Sequence, residues 1–129
     1  MKNIYTLFES TTFLRFPELY ASLDISETRF QSARQFNKAI SRQAPDIVMA
    51  EFRYGFGNNY ASVNVSNLDV SLYTLQRHAP DARVIVVADK TEIPHLPKLQ
   101  ALFDIDVMLP LPVSESSLDT ALRSLEEKR

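Results

Sequence analysis

The sequence predicts an α/β fold in which five parallel strands alternate with five helices. Three observations indicate it. Short apolar runs alternate with amphipathic stretches along the whole chain. The strings at 42–46 (RQAPD) and 77–81 (RHAPD) are nearly identical, and each closes a helical pattern and opens an apolar run. The runs at 47–52 and 84–88 are apolar on both faces, which is typical of parallel strands covered by helices on both sides.

The helices are predicted from apolar residues spaced three or four positions apart. The first carries Leu19 and Tyr20 and contains Pro17, so it either begins near Pro17 or is kinked there. Ser114 or Ser116 caps the last helix, which buries its apolar face. The other helices are predicted at 33–43, 67–77 and 95–103.

Three further strands complete the predicted sheet. The first is the apolar run at 4–8, the second a weaker pattern at 28–31, and the last a short run at 107–109. Five β-α units in 129 residues predict one domain, residues 1–129, with the flavodoxin-like doubly wound sheet. In that fold the strand order is 2-1-3-4-5 and helices lie on both faces.

Composition excludes several classes of function. The formal net charge is −2 and no basic stripe is visible, so nucleic acid is not expected as a partner. The chain has no cysteine, which excludes disulfides, thiolate catalysis and cysteine metal sites. His78 and His95 lack a ligand partner four residues on, so no metal site is predicted. The sequence has no signal-peptide pattern and no apolar run that could span a bilayer, which favours a cytoplasmic protein without membrane contact.

Glu51 is the first candidate for a site residue. It ends the apolar run at 47–52, and in open α/β sheets ligands bind at the carboxyl ends of the strands. The alternative is a strand-end carboxylate that is solvated or paired with Arg53 or Lys90. The residues alone leave both interpretations open.

Three segments resemble the receiver domain of bacterial response regulators, the phosphorylation-controlled switch module: 44–51 (APDIVMAE), 82–88 (ARVIVVA) and 106–113 (DVMLPLPV). As a pattern, the resemblance covers essentially the whole chain, and it implies the doubly wound fold and work through protein contacts. An active receiver holds Mg²⁺ on acidic residues after the first strand and accepts a phosphoryl group on an Asp that ends the third. A Ser or Thr and a Lys at the ends of the fourth and fifth strands then contact that group.

This chain departs from the receiver pattern at the first and third strand ends. Leu7 and Phe8, with Glu9 beside them, stand where the acidic pair is expected. Glu51 stands at the nucleophile position, with one more methylene than Asp. A positional error of about 1 Å can cost about a hundredfold in rate.

The fourth and fifth strand ends depart as well. Ala88 has no hydroxyl, and Leu111, at the lysine position, has no charge. Met108 stands at the position of the aromatic switch residue. Only Pro112 matches, and the resemblance implies a cis peptide bond before it, with a trans turn proline as the alternative.

The resemblance with these departures predicts a degenerate receiver. Such a module is not an enzyme, holds no metal or cofactor, and regulates a protein partner, either a signalling kinase or an output protein, without phosphorylation. The sequence leaves open whether the module forms a homodimer. The alternative is an active phosphoacceptor that uses Glu51 with an unusual Mg²⁺ site. A flavodoxin-like cofactor binder is disfavoured because the loop at 9–12 has no glycine.

Exposed aromatic side chains are the candidates for partner contact. Tyr54, Phe56 and Tyr60 lie in a polar segment that contains both glycines of the chain. They either contact a partner or fold back over the emptied pocket. On the face that receivers commonly use for docking, the apolar side chains are Leu96, Leu99, Met108 and Leu118, and most of these are expected to belong to the core.

Overall fold

A computed structural model describes residues 2–8, 15–54 and 68–127. Five strands form one sheet in the order β2-β1-β3-β4-β5, and every pair of neighbours is parallel. The predicted doubly wound sheet is therefore confirmed. The strands are β1 (Lys2–Leu7), β2 (Ile25–Phe30), β3 (Ile47–Glu51), β4 (Arg83–Ala88) and β5 (Val107–Pro110).

Helices cover both faces of this sheet. A 3₁₀ turn, Ile93–His95, leads directly into the fourth helix. In the described part of the chain, no helix is both long and apolar enough to cross a bilayer. The helices are α1 (Pro17–Ser22), α2 (Ala33–Arg42), α3 (Asp69–His78), α4 (Leu96–Gln100) and α5 (Glu115–Glu127).

The first helix and second strand differ most from expectation. α1 begins at Pro17, so the helix starts at the proline and is not kinked by it. A proline fits the first turn of a helix because the N–H that it lacks would have no partner there. Asp24, at a φ of 59°, turns the chain into β2, which begins at Ile25. The predicted bounds of 28–31 were wrong because β2 is an edge strand whose middle is polar.

Prolines also shorten the fourth helix. The periodic pattern predicts a helix over 95–103, but the structure has a 3₁₀ turn followed by five helical residues. Pro94 and Pro97 each lie at the start of one of these short elements, where the missing N–H costs least. Leu102 and Phe103 then fall in a turn rather than in the helix.

The sheet separates two apolar cores. The α1–α5 core contains Ile4, Met49 and Leu122, and the α2–α3–α4 core contains Val48 and Leu72. Successive residues of a strand point to opposite faces, so the runs in β3 and β4 supply both cores. Each face is closed by helices, which is why those strands are apolar apart from Glu51 and Arg83 at their ends.

Ser114 fixes the start of α5. Its Oγ accepts a hydrogen bond from the backbone N–H of Ser117 at 3.1 Å, so Ser114 rather than Ser116 is the cap. The predicted apolar face is confirmed, since all four of its members are buried: Leu118, Ala121, Leu122 and Leu125.

Two aspartates join neighbouring strands at the amino-terminal edge of the sheet. Asp46 Oδ2 accepts a hydrogen bond from Asn3 N at 2.8 Å, and Asp106 Oδ2 accepts one from Val84 N at 2.8 Å. Asp106 Oδ1 also pairs with Arg83 Nη1 at 3.3 Å. These carboxylates accept hydrogen bonds from backbone N–H groups at the starts of strands, where the sheet offers them no carbonyl partner.

We expect Asp106→Ala to lower the free energy of unfolding by about 1–3 kcal/mol, because it leaves the part-buried Val84 N–H without its acceptor. Asp104→Ala is the matched control, since Asp104 is exposed and lies in the same turn. We expect it to change stability by less than about 0.5 kcal/mol. Urea denaturation of both variants measures the difference, and equal losses would contradict the assignment.

A partly buried polar cluster lies on the α1 side of the sheet. Thr6 Oγ1, fully buried, donates to Glu27 Oε2 at 2.8 Å, and Arg29 Nη1 pairs with the same oxygen at 3.1 Å. Tyr20, 3% exposed, has a hydroxyl without a hydrogen-bond partner among the described residues. Burial, and secondly the Glu27 carboxylate, raise the pKa of Tyr20 well above its ordinary value.

We expect Tyr20→Phe to raise the free energy of unfolding at pH 7 by about 1 kcal/mol, because a buried hydroxyl without a partner costs about 1–3 kcal/mol. The raised pKa has a second consequence. Above pH 10 the unfolded tyrosine loses its proton first, so the wild type loses stability as the pH rises, by at most about 1.4 kcal/mol per pH unit from this group.

Tyr20→Phe removes that contribution, so its stability falls less steeply between pH 10 and 12. The exposed Tyr73 is the control, and Tyr73→Phe should leave the alkaline slope unchanged. Thermal unfolding across this pH range measures both. An identical slope in the wild type and in Tyr20→Phe would show that the Tyr20 hydroxyl ionises freely in the folded protein.

Candidate functional site

The candidate site lies at the carboxyl-terminal edge of the sheet, where β1, β3, β4 and β5 end. All of these strands are parallel, so their last residues meet at one edge. The register of the sheet places the strand ends side by side, as three pairs of neighbouring residues show: Leu7↔Ala50, Glu51↔Val87 and Ala88↔Pro110. This is the edge at which doubly wound sheets bind their ligands.

The end of β1 is apolar. Leu7 is 1% exposed and lies in the α2–α3–α4 core, whereas Phe8 is 3% exposed and lies in the α1–α5 core. Phe8 N still donates to Phe30 O at 3.1 Å, so the chain follows the sheet past the last strand residue. The two side chains at the acidic-pair positions are therefore parts of the two cores. Glu9 lies outside the described residues.

Glu51 ends β3 on the α1–α5 side of the sheet. The residue is 8% exposed, so its carboxylate is largely enclosed at the strand end. The backbone continues in register for one more residue, since Phe52 N donates to Val87 O at 2.8 Å. Asp89, directly after β4, is a second acidic residue at this edge, and it is exposed.

The ends of β4 and β5 carry no hydroxyl or cation. Ala88 is fully buried, and its carbonyl oxygen accepts a hydrogen bond from Leu111 N at 2.9 Å. Leu111 packs its side chain against the α1–α5 core. The Leu111–Pro112 peptide bond is cis, which confirms the expectation for Pro112.

In the part of the chain that the structure describes, acidic and histidine side chains do not gather into a metal-binding group. Among residues 2–8, 15–54 and 68–127, no cluster of three or more His, Asp or Glu side chains could hold an ion. Mg²⁺ binds through oxygen ligands, and Leu7 and Phe8 supply none from their side chains.

Tyr54 is held on the 3₁₀ turn and α4. Its ring stacks on that of His95, with centroids 3.9 Å apart and planes 7° apart. Lys98 Nζ lies 4.6 Å from the Tyr54 ring centroid and donates to its hydroxyl at 2.9 Å. Tyr54 N donates to Glu92 Oε1 at 2.9 Å. These four residues, the Tyr54 cluster, fix the chain just after Glu51 onto the helix that follows β4.

Sequence reasoning missed the Tyr54 cluster. It considered His95 only as a metal ligand and did not single out Glu92 or Lys98. The contacts join positions 38 to 44 residues apart, and no local pattern encodes a pairing at that separation. Tyr54, with 38% of its surface exposed, contacts α4 rather than standing free of it.

Little of the expected docking face is exposed. Leu96, Leu99 and Leu118 are fully buried, which confirms that most of these side chains belong to the core and offer no area to a partner. Their helical spacing marks the core-facing side of each helix. Met108 is 41% exposed on β5, and Leu102, beyond α4, is 52% exposed. Phe56 and Tyr60 lie outside the described residues.

We expect Tyr54→Leu to lower the free energy of unfolding by about 0.5–1.5 kcal/mol, the usual value of an aromatic pair beyond its buried area. Tyr73→Leu is the matched control, because Tyr73 is 59% exposed and makes none of these contacts. Urea denaturation distinguishes the two, and equal effects would mean that the stack does not stabilise the fold.

Comparison with known proteins identifies the fold. No family model and no curated protein sequence matches the chain. The structure is similar to the signal receiver domain of an HD domain-containing protein from Pseudomonas fluorescens Pf-5, with a TM-score of 0.74, 17% identity, and coverage of 98% of this chain and 95% of that one.

Two more solved structures agree. A response regulator receiver domain protein from Clostridium thermocellum has a TM-score of 0.71 at 13% identity, covering 99% of this chain and 96% of that chain. RcsB from Salmonella enterica serovar Typhimurium, bound to promoter rprA with phosphomimetic BeF₃⁻, has a TM-score of 0.64 at 13% identity, covering 98% and 99%. The chain thus has the fold of response-regulator receiver domains.

Proposed function

We propose that this chain is a receiver-like signalling module that acts through protein–protein contacts and does not depend on phosphorylation. The observation that carries the proposal is the chemistry of the strand ends. Leu7, Phe8, Ala88 and Leu111 are apolar and packed into the two cores at the edge where a phosphoryl group would have to be bound.

The side chains at the ends of β1 and β5 cannot compensate the charge of a phosphoryl group. Phosphoryl transfer depends on positioning and on neutralising negative charge with a metal ion and cations. Leu7 and Phe8 offer no ligand to Mg²⁺, and Leu111 offers no cation to an acyl phosphate. A phosphoryl group on Glu51 would therefore add charge to a carboxylate that is only 8% exposed.

Glu51 also fails as a fixed mimic of the phosphorylated state. A mimic needs groups that respond to it, which in receivers are the hydroxyl and the lysine at the next two strand ends. Ala88 and Leu111 supply neither. In this proposal Glu51 is the remnant of a phosphorylation site, and the module is not an enzyme and carries no cofactor.

Surface residues near this edge are the proposed partner contacts. Tyr54 and Met108 are partly exposed, and Phe56 and Tyr60 belong to the same proposal from their place in the sequence. The partner is a protein, either a signalling kinase or an output protein. The proposal assigns the module to the cytoplasm and includes homodimerisation through the Met108 face.

An active phosphoacceptor is the second candidate, because Glu51 does end β3, at the nucleophile position. Its carboxylate oxygen would attack the phosphorus of a donor such as acetyl phosphate, forming an acyl phosphate on Glu51 as the bond to the departing acetate breaks. Its cation would need ligands other than Leu7 and Phe8.

Incubation with Mg²⁺ and acetyl phosphate tests the two candidates. By intact-mass spectrometry we expect no phosphoryl adduct, while an active receiver domain treated in parallel becomes labelled. We also expect no change in the amide NMR spectrum with Mg²⁺ and beryllofluoride. An adduct on the wild type that Glu51→Gln abolishes would refute the proposal and establish the alternative.

A further inference from the structure

The outward sides of α2 and α3 form one surface that is both cationic and partly apolar. The two helices pack side by side on the same face of the sheet, and each buries its inner side in the α2–α3–α4 core. Phe36 and Ile40 of α2 and Leu72 of α3 are among those buried side chains. The exposed residues on the opposite sides of the helices make up the α2–α3 face: Arg34, Lys38 and Arg42 on α2, and Val70, Tyr73 and Arg77 on α3.

The four cations of the α2–α3 face are not used by the fold. Within the part of the chain that the structure describes, none of their side chains forms an ion pair or a hydrogen bond. α2 contains no acidic residue, and the one acidic residue of α3, Asp69, is only 7% exposed at the start of the helix. The outward sides of both helices therefore carry cations and no exposed carboxylate.

Two exposed apolar side chains lie beside these cations. Val70 and Tyr73 are three residues apart on α3, which places them on the same side of the helix, and they are 56% and 59% exposed. Three of the four cations are arginines. Arginine and tyrosine are enriched among the residues that dominate binding at protein–protein interfaces, whereas lysine is depleted there. The composition of the face thus favours contact with a protein.

The spacing of the cations fits a helix as the partner element. Arg34, Lys38 and Arg42 recur every four residues, so they follow one another about 6 Å apart along α2. Acidic residues at the same spacing on a second helix stand opposite them when that helix lies along α2. Neighbouring helix axes are about 8–10 Å apart, so apolar side chains on the adjoining side of the second helix reach Val70 and Tyr73.

We propose that the α2–α3 face binds an acidic, amphipathic helix of a partner protein. Carboxylates of that helix pair with the cations of α2, and its apolar side chains contact Val70 and Tyr73. The face contains neither Glu51 nor Tyr54 nor Met108. The inference therefore does not depend on the proposed function, and it stands whether or not the chain accepts a phosphoryl group.

Other occupants fit the face less well. A second copy could offer α5, where Glu115 and Asp119 are four residues apart, but the next position in that series is Arg123, which pairs with Asp119 at 2.7 Å. No other described helix contains two acidic residues. A membrane surface binds helices that insert a whole apolar face, and Val70 and Tyr73 provide much less.

Amide NMR of the full chain, titrated with a helical peptide of about 18 residues, tests the proposal. The peptide carries glutamates at four-residue spacing with leucines beside them, and it exceeds the length below which isolated helices are marginal. Shifts should concentrate in α2 and α3. The double variant Arg34→Gln, Lys38→Gln should weaken binding about two- to thirtyfold, the loss expected for two exposed ion pairs. Tyr73→Ala should weaken it at least about fivefold.

The matched control Arg15→Gln, Lys90→Gln removes the same charge from exposed positions outside both helices and should bind within about twofold of wild type. An equal loss in this control would overturn the proposal. So would the absence of shifts in α2 and α3 at millimolar peptide, or equal affinity for a peptide with serine in place of leucine.

Three further outcomes would assign the α2–α3 face to a different occupant and overturn the proposal. Each is a binding event of the wild type that the double variant abolishes. Retention on phosphatidylserine vesicles would assign the face to a membrane, and retention on duplex DNA would assign it to nucleic acid. Self-association in sedimentation without peptide would assign it to a second copy.

Discussion

The structure depends on one constraint, that a parallel sheet closed by helices on both faces must be apolar on both faces. β3 and β4 meet it except at Glu51, which ends β3, and Arg83, which begins β4. The sheet separates the two cores. What distinguishes this chain is that the same constraint extends past the strand ends. Phe8 and Leu111 continue the α1–α5 core at a level where receiver chemistry would need polar groups.

The apolar side chains at the strand ends therefore stabilise the fold and offer no groups for catalysis. Burying an apolar side chain contributes about 1.5–3 kcal/mol, whereas a carboxylate at the same place would need a partner or a metal to offset its desolvation. Leu7 and Phe8 stabilise one edge of the sheet in just this way. The Tyr54 cluster adds polar and aromatic contacts beside that edge, so the backbone after Glu51 is held against the 3₁₀ turn and α4.

The elements that were predicted well from the sequence are those whose hydrophobic pattern lies within one short segment of the chain. The strands at 47–52 and 84–88 and the apolar face of α5 follow from continuous or periodic burial, and both were confirmed within a residue or two. β2 was misplaced because Ser26 to Arg29 are polar, and a strand buried against only one neighbour carries little apolar signal. The positions of Glu51, Ala88 and Leu111 followed from the strand ends, but His95 and Lys98 meet Tyr54 only through the fold.

The two edges of the sheet bear on how the protein behaves when crowded. β2 presents Glu27 and Arg29 along one edge, and β5 is four residues long and ends in Pro110, which has no N–H to donate. Charged or proline-containing edges are poor templates for an added strand. Copies of this chain should therefore resist joining their sheets into one another, and any assembly they form would be built from side-chain surfaces, which can separate again without unfolding.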